Sequence, residues 1–334
     1  MMVCALSFLM LSADGPQPLG HVAYKVGTPI VVDGKLDDLA WRDLPWTAEF
    51  VDIEGDLRPR PRFRTRAKMA WDDRYFYVAA EMEEPHVWAT LTKHDSVIFH
   101  DNDFEVFIDP NGDNHEYYEI EINALNTEWD LFLPKPYRDG GPARDDWEVP
   151  GLLKAVHIDG SINDPGDTDK GWSVELAIPW EVLKEHAHRA APPRHGDQWR
   201  VNFSRVEWAT IIKDGKYLKV EGTKEDNWVW SPQGVIDMHR PEKWGFVQFS
   251  TNNPGDDAFR RDPDGPTRDR LMAVYHAQKA HFEQHKRWAD RLDDLKLAQP
   301  QGISLKATSG GWEASLKGPS HTWRVRQDSK LESD

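Results

Sequence analysis

The chain of 334 residues contains one cysteine, Cys4. A disulfide framework, a Cys-ligated zinc or iron–sulfur centre and Cys catalysis in a folded domain each need more than that. No long run of Lys and Arg occurs, and Lys plus Arg number 41 against 57 for Asp plus Glu, a formal charge of −16. A chain this acidic, with an isoelectric point of about 5.3, is repelled by phosphate backbones and anionic lipid, so nucleic acid and anionic membranes are poor partners.

Long apolar runs are missing too, and the mean hydropathy is −0.70. Residues 1–11 form the one apolar run near the N-terminus, and it is too short to cross a bilayer. Residues 1–13 read as the tail of a secretory signal, with a small-residue cleavage site at Leu11-Ser12-Ala13, although no Lys or Arg precedes them. The expectation is an exported protein, periplasmic or extracellular, whose mature form has no cysteine. There is no glycine-rich phosphate loop, no strand–helix–strand rhythm and no Gly-x-Ser-x-Gly elbow. His281-Phe282-Glu283-Gln284-His285 has two His four apart, but Phe282 stands where the zinc-protease pattern needs Glu, so a solvated helix face is expected there.

What is abundant is tryptophan, 16 residues of it, which argues against disorder. Short alternating segments recur at 66–82, 104–109, 117–123, 129–133, 153–158, 172–178, 198–208 and 245–249. Clusters of Gly, Pro, Asn and Asp separate them, which predicts an all-β fold over 20–250, an antiparallel β-sandwich. Residues 251–266 read as a linker and 267–297 as one amphipathic helix, with Leu271, Tyr275, Phe282, Ala289 and Leu292 on one face. That helix is expected to pack back on the sandwich rather than dimerise, so a monomer is expected. Residues 298–334 read as two or three small terminal strands.

Alternation also sorts the chemistry. On 104–109, Phe104, Val106 and Ile108 point one way, and Glu105, Phe107 and Asp109 the other. On 117–123, Tyr118, Ile120 and Ile122 share a face, and Glu119, Glu121 and Asn123 share the opposite one. Paired as a hairpin, the two strands collect Glu105, Glu119, Glu121 and Asn123 beside Phe107. Such a face is either a solvated exterior or a sugar site, because sugar hydroxyls take bidentate hydrogen bonds and pyranose faces stack on rings. Asp101 and Asp103, in the acid- and amide-rich stretch Phe99-His100-Asp101-Asn102-Asp103-Phe104-Glu105, offer oxygen ligands for Ca²⁺. So do Asp109 and Asp113, unless Asp109-Pro110-Asn111-Gly112-Asp113 is simply a hairpin turn. Trp208, Trp228 and Trp230 form a second aromatic group, open to core packing or to ligand stacking.

The order of several segments resembles carbohydrate-binding module family 9. The matching pieces are Val32-Asp33-Gly34-Lys35-Leu36-Asp37-Asp38-Leu39-Ala40-Trp41 and Ala70-Trp71-Asp72-Asp73-Arg74-Tyr75-Phe76-Tyr77-Val78. After them come Asn102-Asp103-Phe104-Glu105-Val106-Phe107-Ile108-Asp109, Gly171-Trp172-Ser173-Val174-Glu175-Leu176-Ala177-Ile178-Pro179-Trp180 and Arg240-Pro241-Glu242-Lys243-Trp244-Gly245. The resemblance implies a β-sandwich that binds poly- or oligosaccharide without cleaving it, in extracellular polysaccharide breakdown beside glycosidases. It implies a terminal sugar clamped between two aromatic rings and hydrogen-bonded by Glu, Arg and Asn. By position the Glu matches Glu105 and one Asn matches Asn123, the first ring falls near Phe99 and the second near Met238, and the Arg falls at Glu121, a reversed charge. Trp230 is the candidate for the missing platform. Structural calcium is common in the family and is the cofactor expected. Two alternatives stay open. One is a glycoside hydrolase or lyase using Glu105 and Asp103. The other is a haem-binding electron-transfer sandwich like related folds with axial Met and His. Here Met238 and His239 point apart on an extended strand, so Met69 or Met82 would have to help, and no Cys-x-x-Cys-His motif occurs.

Overall fold

A computed structural model describes residues 16–334, and the expected signal segment lies outside them. The strands run β1 Gly20–Lys25, β2 Val51–Asp52, β3 Thr65–Trp71, β4 Tyr75–Glu83, β5 Asp103–Asp109, β6 Tyr117–Asn123 and β7 Glu128–Leu133. They continue as β8 Leu153–Asp159, β9 Gly171–Pro179, β10 Gln198–Glu207, β11 Thr210–Lys213, β12 Lys216–Lys219, β13 Asp226–Val229 and β14 Gly245–Ser250.

One sheet has the spatial order β7-β6-β5-β10-β14-β1-β3-β4-β9-β8, with β13 and β2 attached at β10. It curls on itself into a sandwich. Phe104, Val106 and Ile108 of β5 share one core with Val78, Ala80 and Met82 of β4 and with Val174, Leu176 and Ile178 of β9. Period-two alternation buries these residues because each strand turns every second side chain inward. Most pairs are antiparallel, as expected, but β1 runs parallel to both of its neighbours, β14 and β3. β1 is the seam between the two halves, so no hairpin constrains its direction.

The segments carrying the family resemblance are mostly structural. Trp41 and Glu175 are fully buried. The Glu175 carboxylate accepts from Trp41 Nε1 at 2.7 Å, from Gly34 N at 2.8 Å and from Asp33 N at 3.0 Å. It thereby ties the loop before the first short helix to the outside of β9, over a small core of Tyr24, Trp41, Tyr77 and Ala79.

The C-terminal helix runs Gly265–His285, shorter than the expected 267–297. Lys286 takes a left-handed conformation (φ 56°) and closes the helix through its N–H to Phe282 O at 2.7 Å. The chain then folds back, and Gln278 bonds both the N–H and the carbonyl of Ala289. Ala289 and Leu292 therefore reach the apolar face from outside the helix, which is why their spacing mimicked its continuation. The helix packs mainly on a four-stranded sheet, β15 Ser304–Thr308, β16 Gly311–Lys317, β17 Thr322–Arg326 and β18 Leu331–Ser333. Two or three strands were expected there. Leu271 and Tyr275 meet Trp312, Leu316 and Val325 across this small core.

Asp264, just before the helix, clasps the C-terminal sheet. Its carboxylate, 1 % exposed, accepts from Ser320 N at 2.9 Å, His321 N at 3.1 Å and Trp323 Nε1 at 3.0 Å. Burial pushes the group up, but the donors of Ser320, Trp323 and His321 outweigh it and hold it at about 2. A carboxyl held below its ordinary value contributes stability above about pH 3.8 that is lost as pH falls through about 2. Asp264→Ala strands these donors and is expected to cost about 2–3 kcal/mol. Amide hydrogen exchange should show protection lost first in 304–333, and unchanged protection there would refute the clasp.

Candidate functional site

The outer face of the β10-β5-β6-β7 quarter carries the polar set that alternation places there. One cross-strand row reads Ser204, Glu105, Glu121, Trp129, and the next reads Asn202, Phe107, Glu119, Leu131. This face is not a solvated exterior. Glu105, Glu119 and Glu121 are all buried. Two segments cover it, one just before β5 and one far along the chain. Phe99 N donates to Glu121 Oε2 at 3.0 Å, and Trp208 Nε1 donates to Phe99 O at 2.9 Å, which brings in the 98–100 turn. On the other side Trp244 lies against Phe107 and Tyr117, with ring centroids 5.4 and 5.1 Å away, and carries Met238 and His239 with it.

Between these covers is a pocket of about 180 Å³ with Glu105, Glu119 and Glu121 at its floor. Phe99 and Trp129 form one wall, their rings 6.5 Å apart and 32° from coplanar. Tyr137, His239 and Met238 form the other. The Tyr137 ring stands edge-on to His239 at 4.4 Å, and the Tyr137 side is open to solvent. The His239 Nδ1 is 3.0 Å from the Tyr117 hydroxyl. Burial, helped by the Arg138 charge, lowers the imidazole to about 4, so it is neutral near pH 7. Burial also raises the acids. Glu105 sits at about 7, and Asp103, Glu119 and Glu121 lie well above the carboxylate range because each feels desolvation first and its acidic neighbours next.

Of the residues expected at a sugar site, the fold brings together Phe99, Glu105, Glu121 and Met238. It does not bring Asn123 there. That side chain is fully buried and fully used: Nδ2 donates to Leu91 O and Asp101 Oδ2, and Oδ1 accepts from Leu125 N and Thr127 N. Nor does it bring Trp230, which is 1 % exposed inside the sandwich, 5.8 Å from Phe203 and edge-on to His21. Trp228 is buried beside it, while Trp208 lies under the Lys219 ammonium at 3.5 Å.

The expected oxygen ligands for Ca²⁺ do not converge as a set of four. Asp101 and Asp103 lie at the start of β5, and Asp109 and Asp113 at and beyond its other end. Asp101 is saturated by Thr90 N, Thr90 Oγ1, Leu91 N and Asn123 Nδ2. Asp109 closes its turn by accepting from Gly112 N and Asn114 N, and Asp113 accepts from His115 N. The turn in turn docks β18 through Leu331 N to Asp113 O at 3.0 Å. Met69 and Met82 are core residues of β3 and β4 and so cannot serve the haem alternative, but Met238 and His239 lie on a bend rather than an extended strand and line the same pocket instead of pointing apart.

Trp129 and Tyr137 were not singled out in the sequence. Trp129 could have been found by extending the alternation one strand further, because its register partner is Glu121. Tyr137 sits on a loop turn where no periodic signal exists.

Comparison with known proteins supplies a lineage for this geometry. The family model described as carbohydrate family 9 binding domain-like matches residues 32–228. Exoglucanase XynX of Acetivibrio thermocellus is 29% identical over 157 residues, 47% of this chain and 12% of that protein. Endo-1,4-beta-xylanase C of Paenibacillus barcinonensis is 33% identical over 167 residues, 50% of this chain and 13% of that protein. The chain thus corresponds to about an eighth of the length of these curated relatives. A solved Bacteroides uniformis protein, described as a candidate carbohydrate-binding protein, shares the fold with a TM-score of 0.52 at 16% identity, over 70% of this chain and 100% of that one.

Proposed function

The chain belongs to the carbohydrate family 9 binding domain-like family, and on that premise we propose that it binds the end of a poly- or oligosaccharide, without cleaving it, in the pocket between Phe99 and Tyr137. The observation that carries this reading is the pairing of aromatic walls with a floor of buried acceptors. A pyranose presents apolar C–H faces to rings and a belt of hydroxyl donors to carboxylates, and this pocket offers both. Its volume of about 180 Å³ is below the ~300–1,000 Å³ of pockets for drug-sized ligands. That fits one terminal ring better than an internal stretch of chain. Export, as the apolar N-terminal run suggests, and service beside glycosidases belong to the same proposal.

Trp129→Ala tests it. The side chain is half-buried at the pocket wall, so its loss is tolerated by the fold. A stacked indole contributes through its buried apolar face at roughly 25 cal/mol per Å². Affinity for the best ligand from a glycan array should fall about tenfold by calorimetry, a loss of ~1.4 kcal/mol. Unchanged affinity would move the site elsewhere. Release of new reducing ends from that ligand would assign an enzyme instead.

A further inference from the structure

Four acids on this face are withdrawn from water together: Asp103 is 0 % exposed, Glu121 2 %, Glu119 4 % and Glu105 5 %. One carboxylate oxygen from each of Asp103, Glu105 and Glu121 lies within 4.8 Å of the others. Among the described residues, no Lys or Arg makes an ion pair with any of the four acids, although nearby buried acids such as Glu84, Glu207 and Glu242 all have one. Backbone donors satisfy part of the group: Val206 N bonds Asp103 Oδ1 and Phe99 N bonds Glu121 Oε2. Asp103 Oδ2 and Glu119 Oε2 are buried with no partner at all.

Buried acids without a counter-charge have two ways out, a proton or a cation. Protons shared between neighbouring carboxyls, as between Glu119 and Glu121, relieve the charge one pair at a time. A cation satisfies charge and lone pairs at once. Glu119 lies outside the convergent three, beside Glu121, and lines the same pocket with Oε2 unpartnered.

We propose that Ca²⁺ binds between Glu105 and Glu121 on the pocket floor and Asp103 behind it, and takes sugar hydroxyls as its remaining ligands. The second half of this statement rests on the carbohydrate reading; the first does not. The donors in the convergent set are all oxygen, which suits a hard cation. Calcium takes six to eight oxygens in flexible geometry, whereas Mg²⁺ demands a near-ideal octahedron and keeps its waters. Carboxylates from three residues leave positions open toward the pocket mouth, where a vicinal pair of hydroxyls can enter.

The full chain, freed of metal by chelator, is titrated with CaCl₂ and with MgCl₂ by calorimetry, and with Tb³⁺ as a luminescent surrogate. Trp129 at the pocket wall sensitises Tb³⁺ there. The expected result is Ca²⁺ binding in preference to Mg²⁺, with one equivalent of Ca²⁺ and its Tb³⁺ signal lost in Glu105→Gln and in Glu121→Lys. Sugar affinity should fall at least tenfold in EDTA and return with Ca²⁺. No Ca²⁺ bound by the wild type, or an unchanged stoichiometry in either folded variant, overturns the site. Sugar bound equally well in EDTA and in Ca²⁺ overturns the shared-ligand half and leaves the carbohydrate reading standing. Ca²⁺ bound at this site with no sugar bound in either condition leaves the cation and overturns the carbohydrate reading. A protonated amino sugar bound in EDTA by a protein that takes no Ca²⁺ makes the occupant an amine and overturns the metal.

Discussion

Arg205→Met is expected to cost about 3–5 kcal/mol of stability, the usual penalty for leaving a buried charge without its partner. The guanidinium has no exposed side-chain surface. It donates to Glu84 Oε2 at 2.8 Å, to Glu207 Oε2 at 2.8 Å, to Glu83 O at 2.8 Å and to Thr65 Oγ1 at 3.1 Å. It therefore links β10 to β3 and to the end of β4, and it lies 5.2 Å from the Trp228 ring. Without it two carboxylates face each other in the interior. Arg62→Met is the control. Arg62 also reaches Glu207 but is 41% exposed, so its loss should cost no more than about 1 kcal/mol.

The loss of Arg205 should also depend on pH. Burial first, then the Glu207 charge, push Glu84 up to about 8, against the pull of Arg205. A carboxyl raised on folding contributes stability that is full below about pH 4.5 and is lost as pH rises through about 8. Removing Arg205 raises Glu84 further, so urea unfolding should show a larger penalty at pH 8 than at pH 5. Equal penalties at the two pH values would mean that the substitution acts through packing alone.

Trp230→Ala is the second large effect, about 3–5 kcal/mol as for other buried large-to-small changes. The ring fills the space between Phe203 and His21 and lies directly over Gly245. A Cβ on Gly245 would stand 2.5 Å from Trp230 Cζ3, so the glycine exists to admit the indole. The melting temperature should drop sharply, while the folded fraction keeps its full sugar affinity. A large loss of affinity with little loss of stability would return Trp230 to the role of ligand platform.

These two residues show where reading the sequence ends. Arg205 is three residues from Trp208 in the chain and meets Trp228 only through the pairing of β10 with β13, and aromatic rings near an Arg suit a core or a sugar site equally well. Alternation on Trp228 and Trp230 says that both extend from one side of an extended segment; it does not say which side faces the interior. The answer depends on Phe203 and His21, supplied by other strands.

Most strands of the sandwich, their two-faced character and the grouping of Glu105, Glu119 and Glu121 beside Phe107 are legible from period-two spacing, and the family from the order of five segments between Val32 and Gly245, while β1, β11, β12 and β13 are not among the alternating segments. Only the tertiary structure decided that this acidic face lies under the 98–100 turn and under Met238 and His239 rather than in water. It also decided that Asn123 and Asp101 hold a loop, and that Asp109 and Asp113 sit at the far end of β5 from Asp103. The physical reason is that burial and charge pairing are set by whatever remote segment covers a face. Here Met238 and His239 come from more than a hundred positions away, and the nearby 98–100 turn is pinned by Trp208, itself 109 positions from Phe99, and no local pattern records it.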